Sequence, residues 1–191
     1  NEVGENTVDF ITADGGFDFS SDFNNQEELS IQLLICETLA AMLLLRYQGN
    51  FLIKIYDCFN HSTLKILSIL YEVFDTLYFI KPLTSRPANS ERYVLCQGFK
   101  GRNIEYIKHL EQVVNNNMIQ FDNIAINLNL LHHIVQYNVY YTTRQVYYIQ
   151  RTINYINMFK SNMNQFDGKM NAIIEHHAQK SRKWCIKYNI P

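Results

Sequence analysis

The first hundred residues alternate strand, helix, strand, helix, strand, an order that predicts an α/β fold with a doubly wound sheet. Three observations carry that expectation. Val8-Asp9-Phe10-Ile11-Thr12-Ala13 is a β-branched and apolar run closed by Asp14-Gly15-Gly16, the pattern of a buried strand ending in a tight turn. Residues 51–57 are apolar on both faces apart from Lys54, as in a central parallel strand with helices on each side. Two further β-rich runs, 76–81 and 92–99, are joined only by the loop from Pro82 to Ser90. That link is too short for a right-handed crossover, so the last strand is expected to pair antiparallel.

The helices between these strands follow from capping and period. Asn25 is placed to cap a helix with Glu28 at the third position, and Glu27 and Glu28 lie in the first turn, where the helix dipole favours them. This helix is expected to run to about Tyr47 and to stop at Gly49. From Ser62 to Phe74, apolar Leu64, Ile66, Leu67, Leu70, Val73 and Phe74 recur at helical spacing. The chain beyond about Arg102 reads as mostly helical, with a polar break near Asn115 to Asn123. The expected organisation is an α/β region over residues 1–101 and a helical extension over 102–191.

Composition narrows the classes of function. At 191 residues and 47% hydrophobic content the chain can bury a core. Its longest apolar stretch, Leu39 to Leu45, is far below the length of a membrane span, so no membrane partner is expected. A formal charge of −1 gives no global bias toward nucleic acid, and an RNA partner would need a local basic patch. Cys36, Cys58, Cys96 and Cys185 are widely separated and form no C-x-x-C pair, which suits free thiols in a reducing compartment.

Ligands of open α/β sheets bind at the carboxyl ends of the parallel strands. Asp14 ends the first strand there, Lys54 and Asp57 lie late in the second, and Glu91 begins the antiparallel strand at the same edge. Taken singly, an Asp before Gly-Gly serves as a turn residue and a strand lysine can reach solvent. Together they read differently, because a buried lysine is costly without carboxylate neighbours, and Asp14 and Glu91 would be those neighbours.

The segments Thr12-Ala13-Asp14-Gly15-Gly16-Phe17, Gln26-Glu27 followed by Leu29 and Gln32-Leu33-Leu34, Gly49-x-Phe51-x-x-Lys54-x-x-Asp57, and above all Lys81-Pro82-Leu83-Thr84-Ser85-Arg86-Pro87-Ala88-Asn89-Ser90-Glu91-Arg92-Tyr93 carry a resemblance. Over residues 8–101 the chain resembles the FtsJ-like (Adrift-type) cap 2′-O-methyltransferases, and its ending resembles a diverged form of their helical tail. The resemblance implies the carboxy-terminal half of a Rossmann-like methyltransferase sheet, S-adenosylmethionine as cofactor, and methyl transfer to the ribose 2′-OH of capped mRNA at the first transcribed nucleotide. Ribosomal RNA as substrate, and a non-catalytic RNA-binding or scaffold module, are the alternative readings.

Residue by residue, the family's Lys-Asp-Lys-Glu tetrad maps onto Asp14, Lys54 and Glu91. The resemblance assigns Asp14 and Gly15 to the cofactor, Lys54 to the 2′-OH and Glu91 to orienting Lys54, with no metal required. The family's first lysine and glycine-rich loop have no position here and are expected upstream of Asn1, in an amino-terminal part that would complete the site. For the RNA, Arg86 either pairs with phosphate or holds its loop, Asn89 and Ser90 would bond ribose, and Asp22 is a candidate acceptor for the guanine edge of a cap. The compartment is expected to be the cytoplasm, and the Asn, Ile and Tyr excess fits an AT-rich genome such as that of a large DNA virus.

Other clusters invite function less directly. His132-His133 and His176-His177 lack acid or cysteine partners at metal-ligand spacing. Tyr137, Tyr140, Tyr141, Tyr147 and Tyr148 can stack bases or pack a core. Lys180-Ser181-Arg182-Lys183 is the one concentrated basic run, either a phosphate contact or a solvated helix end.

Overall fold

The computed structural model describes residues 4–18, 25–116, 124–161 and 163–190. The element order is β1 (Val8–Ala13), α1 (Gln26–Leu44), β2 (Leu45–Ile55), α2 (His61–Val73), β3 (Phe74–Ile80), β4 (Arg92–Phe99), α3 (Ile104–Asn116), α4 (Leu128–Ser161) and α5 (Met163–Lys187). The strands form one sheet in the order β1-β2-β4-β3. β1 and β2 run parallel, and β4 lies antiparallel between β2 and β3, as the short loop before it requires. The expectation of β2 as a strand among parallel neighbours is corrected here, because one of its two neighbours is β4.

Side-chain alternation divides the sheet into two unlike faces. Ile11 and Ala13 of β1, Phe51, Ile53 and Ile55 of β2, Val94 and Cys96 of β4, and Leu77 and Phe79 of β3 join a core with Ile31, Ile35 and Met42 of α1 and Ile66, Leu67 and Leu70 of α2. Phe74 sits within it, its ring 6.4 Å from Phe51 and 5.3 Å from Phe99. Phe10, Thr12, Leu52, Lys54, Tyr93, Leu95 and Tyr78 point to the opposite face and are partly to fully exposed. Among the described residues, α1 and α2 therefore pack on one and the same face.

Two local expectations are corrected. Helix α1 stops at Leu44 rather than near Tyr47, because Leu45 turns extended and the chain enters β2 at once. Pairing with β1 outcompetes the helical periodicity of these residues: Val8 lies opposite Leu45 and Phe10 opposite Asn50, with a bulge between. Gly49 belongs to that bulge and does not end the helix. A methyl group on it would lie 2.9 Å from the Arg46 carbonyl oxygen and 3.1 Å from that of Val8. At the other end of α1, Asn25 makes no side-chain capping bond. Glu27 turns away from the helix instead, its Oε1 accepting the backbone N–H of Phe59 (2.9 Å) and Asn60 (2.8 Å), which fixes the loop leading into α2. Asn60 in turn caps α2 by accepting from the Ser62 N–H at 2.9 Å.

The chain divides into two compact units, Asn1–Arg144 and Gln145–Pro191, with the division inside α4. In the first unit, Ile107, Leu110 and Val113 of α3 and Leu130 and Ile134 of α4 enter the same core as the sheet. The second unit is the rest of α4 with α5, in which Tyr148, Tyr155 and Met158 of α4 and Met170, Ile173 and Trp184 of α5 are half-buried. All four cysteines are free thiols, and Cys58 and Cys96 are buried in the core.

Replacing Gly49 by Ala forces the bulge apart, since the obstructing atoms are backbone. A loss of about 1–3 kcal/mol is expected, the usual range for overpacking, read as a lowered denaturation midpoint with unchanged slope.

Candidate active site

At the carboxyl rim, β1 delivers Asp14 beside Lys54 of β2. The Lys54 side chain is only 12% exposed. Its ammonium lies 3.0 Å from Asp14 Oδ1 and donates to the Asp14 main-chain oxygen at 3.1 Å. Tyr93, the cross-strand partner of Lys54, donates its phenol to the same Oδ1 at 3.1 Å. The bond from Lys54 holds the Asp14 carboxyl below the usual range, against a smaller upward push from burial, and the Tyr93 bond adds to the lowering. For Tyr93 itself, burial and then the bond to Asp14 push the phenol up to about 12.

The two glycines after Asp14 have steric work to do. A methyl group on Gly15 would lie 2.5 Å from Glu37 Oε1 and 2.7 Å from Leu33 Cδ2, and one on Gly16 would lie 3.2 Å from the Lys54 ammonium. The Gly15 N–H donates to Glu37 Oε1 at 3.1 Å, which ties the segment after β1 to α1; this segment runs on without the tight turn that the sequence predicts. Burial raises the Glu37 carboxyl, with that bond opposing. Tyr56 stands close by, its ring centroid 6.0 Å from the Lys54 nitrogen, and burial raises its phenol.

Glu91 reaches the same rim but does not touch Lys54. No ion pair joins the two among the described residues; the Glu91 carboxylate accepts from the Ser85 hydroxyl at 3.0 Å. Glu91 lies one residue beyond the β2–β4 ladder, which ends at Ile55 opposite Arg92. Its charge is still near enough to raise the phenols of Tyr56 and Tyr93.

The loop between β3 and β4 is organised from inside by Lys81, a residue to which the sequence assigned no role. Its ammonium donates to the main-chain oxygens of Asn89 (2.9 Å) and Glu91 (2.7 Å) and to Asn89 Oδ1. Burial pushes Lys81 down to about 8, the Glu91 charge opposing. Ser90 is 6% exposed and donates to Gln26 Oε1 at 2.9 Å. Thus Asn89 and Ser90 spend hydrogen bonds inside the protein, whereas Arg86 stands exposed on the loop. Asp22 lies outside the described residues.

Beneath the rim, Arg92 is 1% exposed. Its guanidinium sits 3.4 Å from Asp57 Oδ1 and 5.1 Å from the ring centroids of both Tyr137 and Tyr141. Burial raises the Asp57 carboxyl, and Arg92 opposes it. Asn138 donates to the Cys58 carbonyl at 2.9 Å. The first turns of α4 therefore brace the ends of β2 and β4. Tyr137 and Tyr141 are packing residues for this arginine, while Tyr140 and Tyr147 from the same cluster are exposed.

S-adenosylmethionine carries a cationic sulfonium and an α-ammonium. The Asp14 carboxylate suits such a group, being ionised and 66% exposed with room for a further donor. The Gly15 N–H, by contrast, is taken by Glu37.

Lys81 gives a pH signature. Because its folded value lies below its ordinary 10.5, the folded protein sheds this proton first, and the unfolded chain binds more protons from about pH 8 to 10. Stability gains a positive slope in that window; Lys81→Met removes the contribution, and the Lys81 ammonium resonance titrates near 8. At Asp14, Tyr93→Phe should raise the carboxyl pKa and Lys54→Met should raise it further, as read by carboxyl carbon NMR.

Residues 1–99 match the family described as FtsJ-like methyltransferase. Human cap-specific mRNA (nucleoside-2′-O-)-methyltransferase 1 is 40% identical over 124 residues, 65% of this chain and 15% of that protein. The zebrafish (Danio rerio) protein of that name is 47% identical over 91 residues, 48% of this chain and 11% of its own, and the Trypanosoma brucei brucei protein 36% over 118 residues, 61% and 32%. The chain thus spans a minor part of the curated relatives it matches. A solved ribosomal RNA methyltransferase from Plasmodium falciparum superposes with a TM-score of 0.41 at 22% identity, over 50% of this chain and 48% of that one. With more than half its length matched, in the region that holds Asp14, Lys54 and Glu91, the chain belongs to the FtsJ-like methyltransferase family.

Proposed function

We propose that this protein takes part in transfer of a methyl group from S-adenosylmethionine to the ribose 2′-OH of capped mRNA, at the first transcribed nucleotide. The observation that carries the proposal is the Lys54 ammonium, set on an open sheet face and held by Asp14. The names of the relatives support the choice of capped mRNA over ribosomal RNA.

The cofactor, when bound, supplies an electrophilic methyl group on sulfur. An ammonium has three N–H donors, and Asp14 takes two from Lys54, one through its carboxylate and one through its main-chain oxygen. The third is directed to the incoming ribose oxygen. Lys54 so fixes the 2′-oxygen in line and stabilises charge that gathers on it. When bound, the cofactor would give up the methyl group and keep the sulfur electron pair; the chain's part is to hold the 2′-oxygen, whose proton would leave to solvent at the open rim. Tyr93 and Glu37 keep the Asp14–Gly15 segment in place, and Glu91, tethered by Ser85, adds negative charge near Lys54. Arg86 offers an exposed cation to RNA phosphate.

The test is methyl transfer by the full-length protein with labelled cofactor and matched capped and uncapped RNA. Capped RNA should be the better acceptor, and Lys54→Ala should lower the rate by about 100-fold or more with the fold retained. Equal transfer to both RNAs would overturn the cap reading. An undiminished rate in the Lys54 variant would overturn the mechanism.

A further inference from the structure

Charge is distributed unevenly along this chain. Residues 145–191 contain seven Lys and Arg against two Asp and Glu, a formal charge of +5, although the whole chain carries −1. The preceding 144 residues therefore carry −6. The basic segment coincides with the second compact unit, Gln145–Pro191.

The structure orders these charges. Lys180, Lys183 and Lys187 of α5 recur at intervals of three and four residues, so they fall within about 60° around the helix, with His176 one turn before them. All are exposed, as is Arg182. No carboxylate pairs with them among the described residues. Aromatic groups accompany the cations: the rings of Trp184 and Tyr188 are 5.1 Å apart, and the Lys187 nitrogen lies 5.2 Å from the Tyr188 centroid. On α4, exposed Arg151 is held by the Tyr155 hydroxyl at 3.2 Å and lies 5.6 Å from its ring. Tyr147, one turn earlier, is 60% exposed.

Cations that carry no carboxylate partner among the described residues, interleaved with aromatic rings, match a polyanion with π faces. We infer that the helical unit Gln145–Pro191 is a binding surface for single-stranded RNA, its α5 lysines holding phosphates and its exposed rings stacking bases. An anionic lipid surface would instead need one continuous apolar face. Exposed Val146, Ile149, Ile153 and Ile156 do share a face of α4, but α5, which carries the lysines, offers only Ile174 and Ile186, about 120° apart, so cations and an apolar face do not combine on one helix. The inference deepens the proposed function, on which the choice of RNA as ligand rests, and assigns substrate holding to residues outside the catalytic rim.

Trp184, the sole tryptophan, reports on this surface directly. A labelled single-stranded oligoribonucleotide is titrated into the whole chain across a salt series, reading anisotropy and Trp184 emission. Binding should quench Trp184. The triple variant Lys180→Glu, Lys183→Glu, Lys187→Glu should bind at least about tenfold more weakly and lose about 2 from the slope of log affinity against log salt, near 0.7 per phosphate released. Gln at the same three positions, which preserves helix propensity, should lose a similar slope with a smaller drop in affinity. Lys108→Glu, at an exposed position of α3, should change affinity by less than about twofold.

Unchanged affinity and slope in both triple variants would overturn the inference. So would a Trp184 response to vesicles of phosphatidylserine in phosphatidylcholine with none to RNA. Because these readouts need no methyl transfer, RNA binding lost in the triple variants of a protein that methylates no RNA would count against the proposed function alone.

Discussion

A lysine placed on the face of a β-sheet loses hydration that only a partner can replace, and the arrangement of this site follows from how Lys54 meets that demand. Asp14 answers it twice, with a carboxylate oxygen at 3.0 Å and a main-chain oxygen at 3.1 Å. The second contact brings the backbone after β1 close to the Lys54 head. Gly15 and Gly16 permit this, because a side chain at either place would strike Glu37, Leu33 or Lys54 itself. Tyr93 then closes the group from the neighbouring strand. Under the proposed function, stability and chemistry are served by one set of contacts: the pairing that lets a cation reside on the sheet spends two of its three N–H groups.

Support for the rim comes from behind and from the side, through two basic residues with different tasks. Arg92 is buried and braces the strand ends through Asp57 and the rings of Tyr137 and Tyr141, so part of the helical extension belongs structurally to the sheet domain. Lys81 binds backbone oxygens and gives its loop a shape that the loop's own sequence, rich in turn formers, could not hold alone. Side chains that seem available for RNA in sequence, Asn89 and Ser90, are drawn into this internal scaffold.

Much of the architecture is legible in the residues. β1 and β4 begin and end where β-branched runs meet turn formers, and the two-proline loop forces the antiparallel insertion of β4. The approach of Asp14 to Lys54 follows from the rule that strand ends converge at the ligand edge. What escapes the sequence has identifiable physical causes. The end of α1 is decided by pairing with β1, a tertiary effect that overrides helical periodicity from Leu45 to Tyr47. Glu27 forgoes a local role for bonds to Phe59 and Asn60, more than thirty positions away. Glu91 is held by Ser85 because it falls one step beyond the ladder, an offset of register that composition does not encode. The tyrosine cluster also parts company in three dimensions, into rings that cover Arg92 and rings that face water.

The bulge at the far end of β1 acts on the active site as a frameshift acts on a message. Between the pairs Val8–Leu45 and Phe10–Asn50, β2 advances five residues while β1 advances two. Had the first register continued unbroken, Ala13 would stand opposite Asn50 and Asp14 beside Phe51. The three extra residues bring Ala13 opposite Ile53 instead, and so Asp14 beside Lys54. Pairing with β4, Ile53 opposite Val94 and Lys54 opposite Tyr93, decides which face receives the lysine, and the bulge decides which residue of β1 stands beside it. Removing those three residues would leave every side chain of the candidate site in the sequence and set the carboxylate beside Phe51 instead of the lysine that it neutralises.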